Sequence, residues 1–594
     1  MKRVSDMVNN YNGENPFNDS QSRNFSDDKV INEFYPTSIF WSLFNDQHEI
    51  LLGTRGSGKT FLLKMMRYSM LKKISDPRAQ KIVEEKNFIA LYVPMNMEFV
   101  GSFSYRDIPE DYQIPFFQFS FNCLLAESLI TELLSILDED KDDLERFRKN
   151  NQLAKSINII WFNDQSKITD MSTLAIKVRT LFYTHDVKNG LESVPPVFTK
   201  NIGSSLQSII EVIRKILNFH GEPTWIICVD EAEFLKTPLQ RCINTVFRSD
   251  SKRLVLKVAT LPFYHKTYKT LDDDISVAVG NDFNFRFIDM KFDSEDFIQV
   301  TNNLCKRRLK RLNSEINIEK LEEFVGVIGK DDLIDYYREE VGHEKSFREV
   351  IENEIISEFS TVRKQGVKEY VTLRKTVYDK FAPIFFVRKM YQISTKGNSV
   401  PGWYAGSSII RKISQGNPRR FIQLMNELFE KARTTSLTPK SQHEVILKYA
   451  RTLCDSTQAL EIHGPEAKDN LDQIAEYLKA KVHDGPLIFS GNTFSLSFNN
   501  QELKNNEDWI KLAVAYSRLV VDENSLLYGI RNDTKYVIGN IYSAKYWIPM
   551  RVGNYPKINL SLKNKYSYQV GRINLKDQNK QLSIFDEVNE NDTI

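Results

Sequence analysis

Cysteine and histidine are scarce in this chain, with five Cys and eight His in 594 residues. Cys123, Cys228, Cys242, Cys305 and Cys454 form no CxxC pair and no zinc-type spacing with histidine. That excludes a disulfide framework or a structural zinc site as the organising device, and it suits a reducing cytosol. Excess charge of either sign is lacking as well: 80 basic against 78 acidic side chains leave +2. Any nucleic-acid surface must therefore be a local patch and not a global field. The opening MKRVSDMVNNYNGENPFNDSQ carries no apolar signal region, and no 18-residue apolar span is expected anywhere. The expectation is a cytoplasmic protein without a membrane partner. Internal repeats and long low-complexity tracts are also missing.

Hydrophobic residues make up 41% of the chain and aromatics 12%, enough for several cores. The length implies about two to four domains. Within it, Gly53-Thr54-Arg55-Gly56-Ser57-Gly58-Lys59-Thr60 fits G-x-x-x-x-G-K-[ST]. Its glycines let backbone N–H groups turn inward around a phosphate without a Cβ clash. Lys59 supplies positive charge at the β and γ phosphates, and the Thr60 hydroxyl can ligate Mg²⁺. The apolar run Glu49-Ile50-Leu51-Leu52 predicts a strand before the loop, and Phe61 to Met66 a helix after it, whose positive end faces the anion.

A phosphate loop calls for a second strand that ends in an acid. Trp225-Ile226-Ile227-Cys228-Val229-Asp230-Glu231 provides one, apolar from Ile226 to Val229 as in a strand buried on both faces. Asp230 then stands at the ligand-binding end of the sheet to hold the metal through water, and Glu231 is the base that orients an attacking water. By itself the pattern reads equally as an acidic helix cap. The absence of an NKxD element favours ATP over GTP. LSGGQ and the kinase motifs are also absent, which excludes those cassettes.

Leu254 to Thr260 predicts another buried strand, closed by a hydroxyl that either contacts the γ-phosphate or caps the next segment. Farther on, Ser414-Gln415-Gly416-Asn417-Pro418-Arg419-Arg420-Phe421 precedes a helical pattern. Pro418 suits the first turn, which puts Arg419 near a positive helix end, facing an anion or solvent.

In this order GxxxxGKT, hhhhDE, strand-Thr and GNPRR resemble an AAA+ ATPase. VATLPFY and GNPRRF resemble the branch of origin-recognition and helicase-loading initiators and their bacterial ORC/Cdc-like relatives. The resemblance implies an α/β fold: a P-loop AAA+ parallel sheet with a helical insertion, a helical lid and a C-terminal winged-helix-like domain. ATP and Mg²⁺ are the implied cofactors. Gly53 to Thr60 becomes Walker A, Asp230 with Glu231 Walker B, Thr260 sensor 1, and Arg419 the sensor 2 arginine. An arginine finger from a neighbouring subunit is implied too, with Arg286 as the candidate and Arg248 as runner-up, and so is a homo-oligomer. The departure is length, since Asp230 follows Thr60 by 170 positions. An apolar helical stretch such as Pro115 to Leu137 shows that the intervening insertion folds.

The expected domains are an N-terminal arm (1–46), the nucleotide-binding core (47–292) with the insertion at about 95–220, a helical lid (293–450), a winged-helix-like domain (451–575) and a disordered tail (576–594). In the lid, Lys306, Arg307, Arg308, Lys310 and Arg311 surround one helix. They read as a solvated helix C-terminus before they read as a phosphate contact. After the helical stretches NLDQIAEYLKAKV and NEDWIKLAVAYSRLVV, the run SLLYGIRNDTKYVIGNIYSAKYWIPMRV alternates like strands. From Arg551 to Lys580 the basic residues are Arg551, Lys557, Lys563, Lys565, Arg572, Lys576 and Lys580, against Asp577 alone. Tyr555, Tyr566 and Tyr568 interleave with them, a mix that suits DNA and equally a lysine-protected sheet edge. The tail segment Gln581-Leu582-Ser583-Ile584-Phe585 resembles the peptide by which bacterial replication proteins bind the sliding clamp. The functional expectation is an ATP-hydrolysing switch acting on DNA or a DNA-bound partner. The alternative is a regulatory ATPase of antiphage defence or mobile-element control, whose insertion senses a ligand and governs a separate effector.

Overall fold

The computed structural model describes residues 8–560 apart from 9–10, 12, 20–24, 97–109, 166–167, 185–190, 220, 250–252, 313–317, 328–382, 396–401, 485–490, 533 and 554. Lys563, Lys565, Tyr566, Tyr568, Arg572, Lys576, Lys580 and the clamp-like Gln581–Phe585 lie outside the described residues.

Helices α1 (Asp27–Glu33) and α2 (Ser38–Ser42) open the chain, started by Ser26 and Thr37 hydroxyls that accept first-turn N–H groups. Strand β1 (Glu49–Leu52) passes through the glycine loop into α3 (Lys59–Met65), followed by α4 (Tyr68–Leu71), α5 (Pro77–Glu85) and β2 (Phe88–Pro94). The insertion contributes α6 (Glu110–Leu137), α7 (Asp143–Phe162) and α8 (Met171–Thr184). Then come β3 (Thr224–Asp230), α9 (Thr237–Phe247), β4 (Leu254–Thr260) and β5 (Asn284–Phe287).

These five strands form one parallel sheet in the order β2-β3-β4-β1-β5. The order explains the uninterrupted apolar runs. Along β3, Trp225, Ile227 and Val229 enter the core shared with the insertion helices, whereas Ile226 and Cys228 enter the core under the N-terminal arm and α3 to α5. A strand covered on both faces has no polar side to alternate with. Register brings Leu52 opposite Thr260 and Pro94 opposite Asp230, so the ends of these strands share one edge of the sheet.

The expectation that no apolar span occurs needs correction. Asp111–Leu137 is long and apolar enough to cross a membrane by length and composition, and 72% of its most apolar window is buried inside the protein. It packs on β2 as a core helix, and a helix covered nearly all round keeps no polar face to interrupt the run.

Beyond the sheet, α10 (Glu295–Lys310), α11 (Ser407–Ser414), α12 (Pro418–Thr434) and α13 (Pro439–Asp455) lead to α14 (Gly464–His483), β6 (Thr493–Leu496), α15 (Asn500–Ala515), β7 (Leu519–Val521), α16 (Glu523–Tyr528), β8 (Lys535–Ile538), α17 (Asn540–Tyr546) and β9 (Lys557–Ile558). A second sheet runs β7-β8-β6-β9. One hydrophobic core extends from Phe297 through Ile446 and Leu471 to Leu560, without a break between lid and C-terminal region.

Two readings differ from the structure here. The stretch expected to alternate as strands holds more helix than strand, with Lys535–Ile538 its one strand among the described residues. Asp522 caps α16 through the Ser525 N–H, and α17 packs against α13, so tertiary burial overrides the local alternation. The basic helix is not a solvated end either. Arg308 is fully buried with Nη2 2.6 Å from Glu33 Oε2, and Arg311 reaches the other Glu33 oxygen at 3.0 Å. Arg307 donates to the Ile31 and Asn32 carbonyls, so the run grips the N-terminal arm.

Candidate nucleotide site

The loop after β1 folds as its glycines require. Gly56 and Gly58 sit at φ 93° and 102°, in the left-handed region. A Cβ at Gly56 would also stand 2.8 Å from Arg419 Cβ and from Asn417 Oδ1. Residues Arg55 to Thr60 line a cavity of about 280 Å³, joined by Asp230, Glu231 and Arg419 from distant stretches.

Lys59 is buried and donates to the Gly53 and Thr54 carbonyls at 2.6 and 3.1 Å. Burial pulls its ammonium below the usual lysine range, and the carboxylates of Glu233, Asp289 and Asp230 oppose that shift. Asp230 is also buried; its Oδ1 accepts the Glu231 N–H at 3.0 Å and its Oδ2 the Tyr92 hydroxyl at 2.8 Å. Glu231 takes φ 58° and starts the turn Ala232–Phe234, which brings a third carboxylate, Glu233, to the cavity wall. Burial pushes the Glu233 carboxyl up to about 7, with Lys59 resisting.

Thr260 closes β4, where its carbonyl accepts the Gly53 N–H at 3.3 Å. Its side chain is buried beside the cavity without lining it. Several buried side-chain atoms among the described residues lack a hydrogen-bond partner, Thr260 Oγ1, Ser57 Oγ and Glu233 Oε2 among them. Unpaired buried oxygens are costly and rare. Ser57 lines the cavity together with the buried Lys59, and a hydroxyl donor beside a buried ammonium fits a bound polyphosphate. The Thr60 hydroxyl and the Asp230 carboxylate supply hard oxygen donors that fit Mg²⁺, which takes few protein ligands when phosphates supply the others. No cluster of three or more His, Cys, Asp or Glu suited to a metal occurs among the described residues.

The adjacent arginines Arg419 and Arg420 diverge. Arg419 lines the cavity, and its N–H donates to the Gly56 carbonyl at 3.4 Å. Arg420 is buried away from it and donates to the Tyr516 and Ser517 carbonyls; burial lowers its guanidinium to about 9. Arg286 is not brought to this cavity. It lies on β5 with Nη2 2.6 Å from Glu49 Oε1, while Arg248 pairs with Asp282 at 2.7 Å.

Several residues of the site escape the sequence motifs. Asp289, directly after β5, accepts the Thr54 N–H at 3.0 Å and the Thr54 hydroxyl at 2.9 Å, bracing the loop from outside. Phe34, Tyr35 and Ile39 of the N-terminal arm, with Met290 and Ile422, form an apolar wall that fits a flat base. An acid after the last core strand was the available signal for Asp289. The arm offered none, because its position depends on Glu33 and Arg308, 275 residues apart.

A family model described as ORC-CDC6-like matches residues 15–560. Among solved structures, the chain is similar to the Aeropyrum pernix ORC1 protein in complex with DNA, at 11% identity over 87% of this chain and 91% of that chain. The TM-score is 0.19. No curated protein matches the chain.

Proposed function

The chain belongs to the ORC-CDC6-like family, and from that premise we propose an oligomeric AAA+ switch that binds and hydrolyses ATP and acts on DNA or a DNA-bound partner. One observation carries the reading: Lys59, Asp230 with Glu231, and Arg419, from three separate stretches of chain, line a single cavity.

In this reading the amides of the loop cradle the phosphates, and Lys59 leaves the Gly53 and Thr54 carbonyls for a phosphate oxygen. Thr60 and Asp230 hold Mg²⁺, which neutralises phosphate charge when bound. Glu231 orients the attacking water, Thr260 fixes the γ-phosphate end, and Arg419 carries the lid's response to that phosphate. The apolar wall of the arm receives the base. Arg286 remains the proposed finger toward a neighbouring subunit. The domain limits proposed are 1–46, 47–292, 293–450, 451–575 and 576–594, with the fourth unit winged-helix-like and its basic residues, Arg551 and Lys557 among them, touching DNA phosphates.

The test is ATP hydrolysis by the full chain, with and without double- and single-stranded DNA, alongside its mass in solution. Hydrolysis that rises with DNA, in a species larger than a monomer, is expected. Glu231→Gln should keep ATP binding and lose at least about a hundredfold in turnover; unchanged turnover would remove Glu231 as the base. Hydrolysis indifferent to every nucleic acid would remove the DNA reading.

A further inference from the structure

Both oxygens of the Asp230 carboxylate already have a partner within the protein. The Glu231 N–H takes Oδ1 at 3.0 Å, and the Tyr92 hydroxyl takes Oδ2 at 2.8 Å. Tyr92 belongs to β2, which runs parallel to β3 with Tyr92 opposite Cys228, two residues before Asp230. Residues two apart on a strand share a face, so the phenol lies beside the acid at the sheet's ligand-binding edge.

Tyr92 is held from two further directions. Lys64 of α3 stands over its ring, Nζ 5.9 Å from the centroid. The backbone N–H of Tyr92 donates to Ser128 Oγ of α6 at 2.9 Å. Because β2 is the outermost strand on that side, this bond ties the edge of the sheet to α6 of the insertion.

A phenol has one proton to donate, and here it goes to Asp230. A carboxylate has about four lone-pair positions. With one oxygen pinned by its own main chain and the other by Tyr92, rotation of the group is fixed, and the unused lone pairs keep one direction. We propose that Tyr92 is a positioning residue for Asp230, aiming the carboxylate at the Mg²⁺ site beside Thr60, and that the insertion sets this aim through Ser128. The proposal rests on the reading of Asp230 as a metal-holding group. Partners of this kind, one step out from a metal ligand, are worth about 10–100-fold in metal affinity or activity.

The test uses the full-length chain and a fluorescent ATP analogue, with Mg²⁺ titrated from an EDTA baseline. Tyr92→Phe keeps the ring under Lys64 and removes one oxygen. It should bind the analogue as the parent does in EDTA, and need about tenfold more Mg²⁺ to reach half of the metal-dependent change. Ser128→Ala should shift the same midpoint in the same direction by a smaller factor. A Tyr92→Phe midpoint equal to the parent's, while Asp230→Asn moves it, overturns the positioning role. A midpoint that Asp230→Asn leaves in place overturns the metal-site reading itself, and the Tyr92 proposal with it. A Ser128→Ala midpoint equal to the parent's removes the insertion from the proposal.

Discussion

The Arg55 guanidinium donates to the Tyr516 hydroxyl at 3.0 Å, so the tip of the phosphate loop is bonded directly to the C-terminal region. The main chain of Arg55 adds two more ties: its N–H donates to the Ala515 carbonyl at 2.8 Å, and its carbonyl accepts from Asn417 Nδ2 at 2.9 Å. Tyr516 in turn donates to Glu461, which also accepts from Tyr264 just beyond β4. Loop, lid, C-terminal region and the segment after Thr260 therefore meet around one arginine.

Removing that side-chain link should loosen the junction without unfolding the chain. Tyr516→Phe and Arg55→Ala are each expected to cost about 1 kcal/mol, the net worth of a partly exposed hydrogen bond. Amide exchange at residues 55–58 and 515–518 should quicken together in either variant. Exchange that quickens on one side alone would show that the two segments are not coupled.

The N-terminal arm depends on Glu33, a buried acid shared by Arg308 and Arg311. Arg308→Met leaves that acid paired with the half-exposed Arg311, so the loss should stay below the about 3–5 kcal/mol of a stranded buried charge. Because Phe34 and Tyr35 wall the cavity, ATP affinity should fall with it, and proteolysis before residue 46 should accelerate. Unchanged affinity in a cleavable arm would separate the arm from the base site.

Lys257 and Glu49, both fully buried, form a pair at 2.9 Å, and Lys257 also donates to Asn45 Oδ1 and the Gln47 carbonyl. Glu49 keeps Arg286 as a second partner. Glu49→Leu strands a buried ammonium, whereas Lys257→Met leaves the acid paired. The unfolding free energy from urea denaturation should therefore drop more for Glu49→Leu, by about 3–5 kcal/mol, than for Lys257→Met. Arg286→Ala tests the finger: loss of turnover with stability and ATP affinity intact supports it, and loss of stability alone assigns Arg286 to the ion pair.

His48 and His443 each use Nδ1 to accept a backbone N–H, from Leu256 at 3.0 Å and from Tyr404 at 3.1 Å. Protonation at Nδ1 would place a proton against that donor. Burial, with Lys257 near His48 and Arg451 near His443, lowers both from 6.5 to about 4. Between those values the unfolded chain binds more protons, so stability falls as pH drops through 6.5 toward 4, by up to about 3 kcal/mol per histidine. His48→Asn, which keeps an acceptor and loses the titration, should flatten the unfolding midpoint between pH 7 and 5. A midpoint as steep as the parent's would exonerate His48.

Local chemistry is what made much of the fold legible. The runs at Glu49, Ile226 and Leu254 are strands because each is apolar at every inward and outward position, and Pro418 opens α12 because a helix start tolerates a missing N–H. The failures occurred where burial overrode pattern. Asn540–Tyr546 alternates like a strand yet packs as a helix on α13, and the cationic end of α10 grips an acid instead of water. The arm, Glu233 and Tyr92 left no comparable mark, since nothing near them in sequence states which group they will face.

By itself the sequence determined the phosphate loop, the acid at the end of β3, the family and the parallel-strand character of the core, all of which depend on spacings of a few residues. Only the tertiary structure decided that Arg419 and not Arg420 faces the cavity, that Arg55 is tied to Tyr516, and that an insertion helix reaches Asp230 through Tyr92. Those relations join residues from 36 to 461 positions apart. They follow from strand order and register, which bring distant strand ends to one edge, and from a core that packs lid and C-terminal region together against the loop.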